Sequence, residues 1–185
     1  MEDKILIVDL ETTGFSASKD HIVEIGLVEL DLVTGKKITL YDELISPPME
    51  IEDIEKSWVV TKGYINALDI VFGRPLDEAL PQLQNLIDLY PLGITAFNNS
   101  FDFGFLEYYG IEFIKKLPCP MHLSTNICKF PGYSGIKLKR PSCEQAYNFY
   151  FPGAEWVELH RGADDAWHEA DIVKKLYDMG VFKLD

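Results

Sequence analysis

The chain has 185 residues, 47% of them apolar and 25% charged, enough to bury one core and too few for two ordinary domains, so a single domain over residues 1–185 is expected. No apolar run approaches the roughly 20 residues that cross a bilayer, and the acidic start Met1-Glu2-Asp3 lacks the basic flank of a signal peptide, which points to a cytoplasmic protein with no membrane partner. Seventeen Lys and Arg against 30 Asp and Glu leave a net charge of −13; this excludes bulk electrostatic clamping of a nucleic acid, but not binding at a site where divalent cations reverse the local field.

Residues 4–9 read as a buried strand, because Ile5, Leu6, Ile7 and Val8 form a continuous apolar run that ends at Thr12-Thr13-Gly14. A second strand is predicted over 22–30 and, after the Thr34-Gly35 turn, a third over 37–45, giving an antiparallel meander closed by Pro47-Pro48. Residues 51–69 have a poor pattern and read as loop with short helical turns. Leu76, Leu80, Leu83, Leu86 and Ile87 follow a helical period over 76–89, with Pro81 tolerable only because it falls near the first turn. Residues 93–97 form a short strand leading to Asn98-Asn99-Ser100, where Ser100 is expected to cap a helix carrying Phe101, Asp102, Phe105 and Leu106. Two further helices are predicted, over 142–150 and over 163–179, the latter with Ala166, Ala170, Val173 and Tyr177 on one face and Gly180 as its stop. The order β-β-β-α-β-α-α-α indicates a mixed sheet flanked by helices, an α/β layer architecture. Cys119, Cys128 and Cys143, an odd number spaced by nine and fifteen, fit neither a disulfide framework nor a zinc pattern and read as reduced structural thiols.

Asp9 and Glu11 are two apart at the end of an apolar strand, so both carboxylates face one spot. Taken alone, such a pair marks a strand end. Asp102 falls at a second strand-to-helix junction, where an isolated Asp would serve the helix dipole, and Asp165 lies in the first turn of the last helix, five residues after His160.

The joint order Asp9-Leu-Glu11-Thr-Thr-Gly14, Asn98-Asn-Ser-Phe-Asp102 and His160-x4-Asp165 resembles the proofreading-type 3′–5′ exonucleases of the DEDD superfamily. Within it, the match is to the histidine-containing (DEDDh) subgroup that includes the polymerase epsilon-type proofreading subunits. Ile22-Val-Glu-Ile-Gly26 matches as well. Arg140-Pro-Ser-Cys-Glu-Gln-Ala-Tyr147 is similar to the segment before the third motif in bacterial and phage members, whereas Phe97 stands where many relatives have His. The resemblance implies a ribonuclease H-like fold with a mixed five-stranded sheet, its three N-terminal strands antiparallel. It implies catalytic roles for Asp9, Glu11, Asp102, His160 and Asp165. Asp9 is then a bridging metal ligand, Glu11 and Asp165 ligands on the side of the attacking water, Asp102 a ligand of the second ion, and His160 the general base. Four oxygen donors suit two Mg²⁺ or Mn²⁺ ions, which about 3.5–4 Å apart can serve both sides of a phosphodiester. The unperturbed His pKa of ~6.5 leaves mostly neutral imidazole at pH 7, as a base requires.

Expected substrate contacts are Thr12, Thr13 and Gly14 at the terminal 3′-OH, Phe15 stacked on a base or buried in the core, and Asn98. Phe101 and Phe103 read first as core, with Phe101 also carried as a substrate contact. Lys137, Lys139, Arg140 and Arg161 are cations near the site that could meet upstream phosphates or remain solvated. Arg161 and Asp164 read as mainly solvent-facing, and Glu24 is not assigned a role. The expected partner is a nucleic-acid 3′ end, single-stranded or frayed DNA before RNA, with 5′-mononucleotides as products. An exoribonuclease trimming short RNA and a catalytically silent replication module are the alternatives. A polymerase or replication partner, and monomer against dimer, stay open at this stage.

Overall fold

The computed structural model describes residues 3–132 and 137–184; Met1 and Glu2 of the acidic start lie outside them. Three long strands open the chain, β1 (Lys4–Thr12), β2 (Ile22–Asp31) and β3 (Lys37–Ser46), as the apolar patterning predicts. Short helices α1 (Ile51–Ile54), α2 (Trp58–Thr61) and α3 (Ala67–Val71) fill the pattern-poor stretch. Next come β4 (Arg74–Pro75), α4 (Leu76–Asp88), β5 (Ile94–Thr95) and α5 (Asn99–Tyr108). The chain finishes with α6 (Pro120–Cys128), α7 (Cys143–Tyr150) and α8 (Gly162–Asp178). No helix among the described residues is long and apolar enough to cross a membrane.

The five strands lie in the order β4-β3-β2-β1-β5. β1, β2 and β3 pair antiparallel, while β5 joins β1 and β4 joins β3 in parallel. The mixed five-stranded α/β architecture implied by the resemblance is therefore present. Sequence reading missed two elements. β4 exists only through its two pairs with β3, Ile45 with Arg74 and Ser46 with Pro75. α6 is short and carries Ser124, Thr125 and Asn126, residues with weak helix preference, behind a Pro at its first position.

Two other expectations are corrected. Pro81 is the sixth residue of α4, beyond the first turn, so its missing N–H removes one intrahelical bond from a helix held by its buried face of Leu76, Ala79, Leu83 and Ile87. Ser100 does not cap α5: the helix begins two residues earlier than such a cap implies, with Asn98 at the cap position and no side-chain cap bond. Ser142 caps α7 in a full capping box with Gln145.

Alternation along β1 decides where chemistry can occur. Leu6, Val8 and Leu10 join the core under α4 and α5, whereas Ile5 and Ile7 join the core under α6, α7 and α8. Asp9 and Glu11 continue the odd-numbered series and so fall on the α8 side. There α8 comes very close to the sheet: a Cβ on Gly26, the partner of Asp9 on β2, would lie 2.0 Å from the carbonyl carbon of Gly162. Two glycines in contact thus set the first turn of α8, and with it Asp165, against the end of β1.

Candidate active site

Asp9, Glu11, Asp102 and His160 line one cleft of about 320 Å³, together with Thr12, Gly14, Phe15, Asn98 and Phe101. Asp165 sits beneath it, only 1% exposed. One ligand atom each from Glu11, His160 and Asp165 lies within 4.8 Å of the other two. Residues 150 positions apart in sequence are thus brought together by strand parity on β1 and by the glycine contact that seats α8.

Each carboxylate is held differently. β5 pairs with β1 only as far as Ile7, so the Leu10 N–H projects past the end of β5; Asp102 reaches from the first turn of α5 and accepts it at 3.2 Å. Burial, with some help from Glu11, pushes Asp102 up to about 7, although backbone N–H donors pull the other way. Asp165 accepts the Arg161 N–H through Oδ2 at 3.0 Å, while its Oδ1 is buried and makes no hydrogen bond. Burial, then Glu158 and Glu11, push Asp165 up to about 7. Asp9 is driven well above the usual carboxylate range by burial first and then by Glu169, Asp102, Glu11 and Asp165. Burial also raises Glu11, against the downward pull of His160.

His160 has its Nδ1 3.7 Å from Glu11 Oε1, an ion-pair distance too long for a hydrogen bond. Glu11 raises the imidazole above its ordinary value in spite of partial burial, so the expectation of an unperturbed histidine is corrected for the metal-free site. The ring packs against Trp58 and Tyr64, with centroids 4.9 and 4.3 Å away.

The outlying candidates divide. Phe15 is 85% exposed at the cleft mouth, which excludes the core reading, and its ring meets half-buried Phe101 edge-on at 6.5 Å. Phe103 is core. Thr12 spends its hydroxyl on the Gly14 carbonyl at 2.6 Å, and Thr13 bonds backbone groups of His21 through both its N–H and its hydroxyl. Thr13 does not line the cleft, so its hydroxyl is not aimed at a substrate. Gly14 packs against Asp20, whose carboxylate would lie 2.4 Å from an added Cβ. Arg161 is exposed, as expected, yet is also the partner of Glu24, donating through Nε at 3.0 Å and Nη2 at 2.8 Å. Glu24, fully buried, also accepts the Gly162 N–H at 3.2 Å and so pins the entry to α8. Lys137, Lys139 and Arg140 are exposed, with Lys139 donating to Gln145 at 3.3 Å. Asp164 is half-buried, its Oδ2 3.4 Å from His168 Nδ1. The three cysteines are free and buried, as expected of structural thiols, and Cys143 borders the cleft.

Among the lining residues not anticipated as part of the site, four carry polar or aromatic groups of interest: Trp58, Glu158, Glu169 and Cys143. Glu169, 3% exposed, accepts the Phe97 N–H at 3.1 Å and so links α8 to the junction that carries Asp102. Burial and Asp102 raise it well above its ordinary value. Two of the four were signalled. Glu169 follows Asp165 by one helical turn and so shares its face, and Glu158 stands two residues before His160 in the sequence.

Comparisons with known proteins identify the family. A family model described as exonuclease, of the RNase T type, matches residues 6–173. The chain is 28% identical over 177 residues to a DNA polymerase III PolC-type of Clostridium perfringens, covering 94% of this chain and 11% of that protein. It is 28% identical over 188 residues to the PolC-type of Thermotoga maritima, covering 97% and 12%. The chain therefore corresponds to a small part of these curated relatives. Among solved structures, a full-length 3′-exonuclease superposes with a TM-score of 0.71 at 16% identity, over 97% of this chain and 62% of that one. The nuclease domain of 3′hExo, a DEDDh family member bound to rAMP, gives 0.64 at 14% identity, over 98% and 95%. At such identities the structural likeness speaks for the fold, and it is the ribonuclease H-like one. The family match runs from β1, which carries Asp9 and Glu11, into α8, which carries Asp165, and on that ground the chain belongs to the exonuclease family.

Proposed function

We propose that the chain acts as one 3′–5′ exonuclease domain that removes 5′-mononucleotides from single-stranded or frayed DNA ends, using Asp9, Glu11, Asp102 and Asp165 to hold two divalent cations and His160 as general base. The observation that carries this reading is the buried, unpartnered Oδ1 of Asp165 grouped with Glu11 and His160, next to a cleft lined by the carboxylates of Asp9, Glu11 and Asp102. A buried carboxylate oxygen without a donor is costly unless a cation meets it, and an all-oxygen set suits Mg²⁺ or Mn²⁺. When bound, such ions would lower the pKa of a coordinated water, neutralise charge at the leaving oxygen and offset the repulsion among the four carboxylates.

The protein's own groups do the rest. Neutral His160 takes a proton from the attacking water, and Glu11 next to it stabilises the imidazolium that results. Asp102, tied to the Leu10 N–H, and Asp165, tied to the Arg161 N–H through Oδ2, are held in place by backbone donors and leave their second oxygens for a cation. Phe15 and Phe101 offer aromatic faces to the terminal bases, Asn98 and Gly14 border the sugar, and the exposed Lys137, Lys139 and Arg140 meet phosphates further up the strand. DNA is favoured because the relatives similar in sequence are named as DNA polymerases. RNA is the second reading, favoured by the structural neighbour solved with rAMP. A polymerase or replication partner follows from the same relatives.

A time course on matched 3′- and 5′-labelled DNA and RNA oligonucleotides with Mg²⁺ or Mn²⁺ reads polarity and sugar together. Release of mononucleotides from 3′ ends, abolished by chelator, is expected. Cleavage within a circular single strand, or full activity in excess chelator, would refute the reading. For Phe15→Ala, the exposed ring predicts weaker binding of single-stranded ends by ~1–3 kcal/mol. Because that ring is outside the core, the thermal midpoint should stay at wild type; a variant that melts early but binds normally would remove Phe15 from the substrate site.

A further inference from the structure

We propose that Trp58 and Tyr64 are positioning residues that hold the His160 imidazole beside Glu11 by ring packing. The inference rests on the exonuclease reading, in which His160 accepts the proton. Among the described residues the imidazole makes no hydrogen bond, and its nearest charged group, Glu11, is 3.7 Å away. What touches the ring is aromatic: Tyr64 at 4.3 Å and Trp58 at 4.9 Å between centroids, with Trp58 and Tyr64 themselves 5.0 Å apart. Three rings in mutual tilted or edge contact form a closed set, and such contacts prefer a limited range of angles.

The two aromatic residues come from a braced turn. The Trp58 carbonyl accepts the Lys62 N–H at 3.0 Å, and the Val59 carbonyl accepts from Tyr64 at 3.0 Å and Ile65 at 3.2 Å. Gly63 supplies the left-handed backbone, φ 77°, that folds Tyr64 back beside Trp58. Val59 and Ile65 are buried with Val23 of β2 in a small core of their own, which fixes the turn to the sheet. His160, by contrast, lies in an irregular run with no helix or strand to order it. Its backbone adopts φ 54°, a left-handed conformation that a side-chain-bearing residue holds only when its surroundings impose it. The following residue is clamped by the Arg161–Glu24 pair, and the cage supplies the matching restraint on the imidazole.

The test combines a double-mutant cycle with a spectroscopic reading of the ring. Trp58→Ala and Tyr64→Ala are each expected to lower kcat by ~10–10²-fold with little change in KM, since a misplaced base costs rate without costing affinity. Tyr64→Phe, which keeps the ring, should restore the rate relative to Tyr64→Ala. In a His160→Ala background neither alanine variant should lower the rate further, because the cage acts through the imidazole. In proton–nitrogen correlation spectra of the metal-free protein, the His160 ring signals should be displaced by the aromatic neighbours and move toward free-histidine positions in both variants. Trp58 is 38% exposed and outside the three core clusters, so Trp58→Ala tests the cage even if Tyr64→Ala fails to fold. Losses that appear in KM, or persist at full size without His160, would make Trp58 and Tyr64 substrate contacts and overturn the proposal. So would His160 signals that ignore both substitutions. A wild-type chain that cleaves nothing in Mn²⁺ would refute the exonuclease reading, and the spectra would then decide the cage by themselves.

Discussion

His160→Ala is expected to lose at least ~10²-fold in turnover while keeping its affinity for Mg²⁺ or Mn²⁺, because general bases contribute about 10²–10⁴ in rate. The side chain makes no hydrogen bond among the described residues, so its removal orphans no buried partner and the thermal midpoint should hold. The wild-type rate should climb with pH as the imidazole loses its proton and becomes a competent base. His160→Ala should remove that limb. Metal titration by calorimetry alongside a pH–rate profile reads both effects. Full turnover in the variant would take His160 out of the mechanism. Loss of metal affinity would mean that the close grouping of Glu11, His160 and Asp165 is a ligand set in which the histidine itself binds the ion.

The extent to which this site is legible in the sequence follows the range of the interactions involved. Asp9 and Glu11 are readable because strand parity is local: Ile5 and Ile7 face α8, and the next two odd positions must do the same. Asp165 is readable from the helical period that starts at Gly162. His160 is recognised only by its spacing to Asp165, since its own segment has no periodic structure. Trp58 and Tyr64 are invisible to such reasoning. They stand about a hundred positions before His160, in a stretch where three short helices erase any longer pattern, and their role depends on tertiary packing alone. Arg161 is solvent-facing as expected, but its ion pair is unreadable for the same reason: only the fold brings the buried Glu24 of β2 beneath it. β4 and α6 are missed because both take their conformation from neighbours, a two-residue pairing in one case and packing against α7 and α8 in the other. Propensity is a weak prior wherever tertiary contacts decide.

Replacing Asp9 by Asn should leave the metal-free protein melting at or above wild type while abolishing activity and the stabilisation that metal confers. Asp9 is pushed upward by burial and by four other carboxylates, so in the metal-free state its charge is a liability and its shape is nearly kept by Asn. The sign of the pH dependence follows from Asp102 and Asp165, both raised from 3.8 to about 7. Below pH ~4 they are protonated in folded and unfolded chains alike, and the folded state carries no penalty. As pH rises toward 7 the unfolded chain ionises first, so stability is lost through this window. With each pKa unit equivalent to ~1.4 kcal/mol, the loss amounts to a few kcal/mol for the coupled group. Metal-free protein should therefore melt at a higher temperature near pH 5 than near pH 8. Divalent cations reverse this order, because they bind the ionised carboxylates. At 100 times Kd each independent site adds ~2.7 kcal/mol, about 5–10 °C for a domain of this size. Thermal melts of wild type and Asp9→Asn at both pH values, in chelator and in Mn²⁺, measure every part of this. A variant that is strongly destabilised without metal yet still gains the full increment from Mn²⁺ would make Asp9 a structural strand-end residue and move the cation site elsewhere.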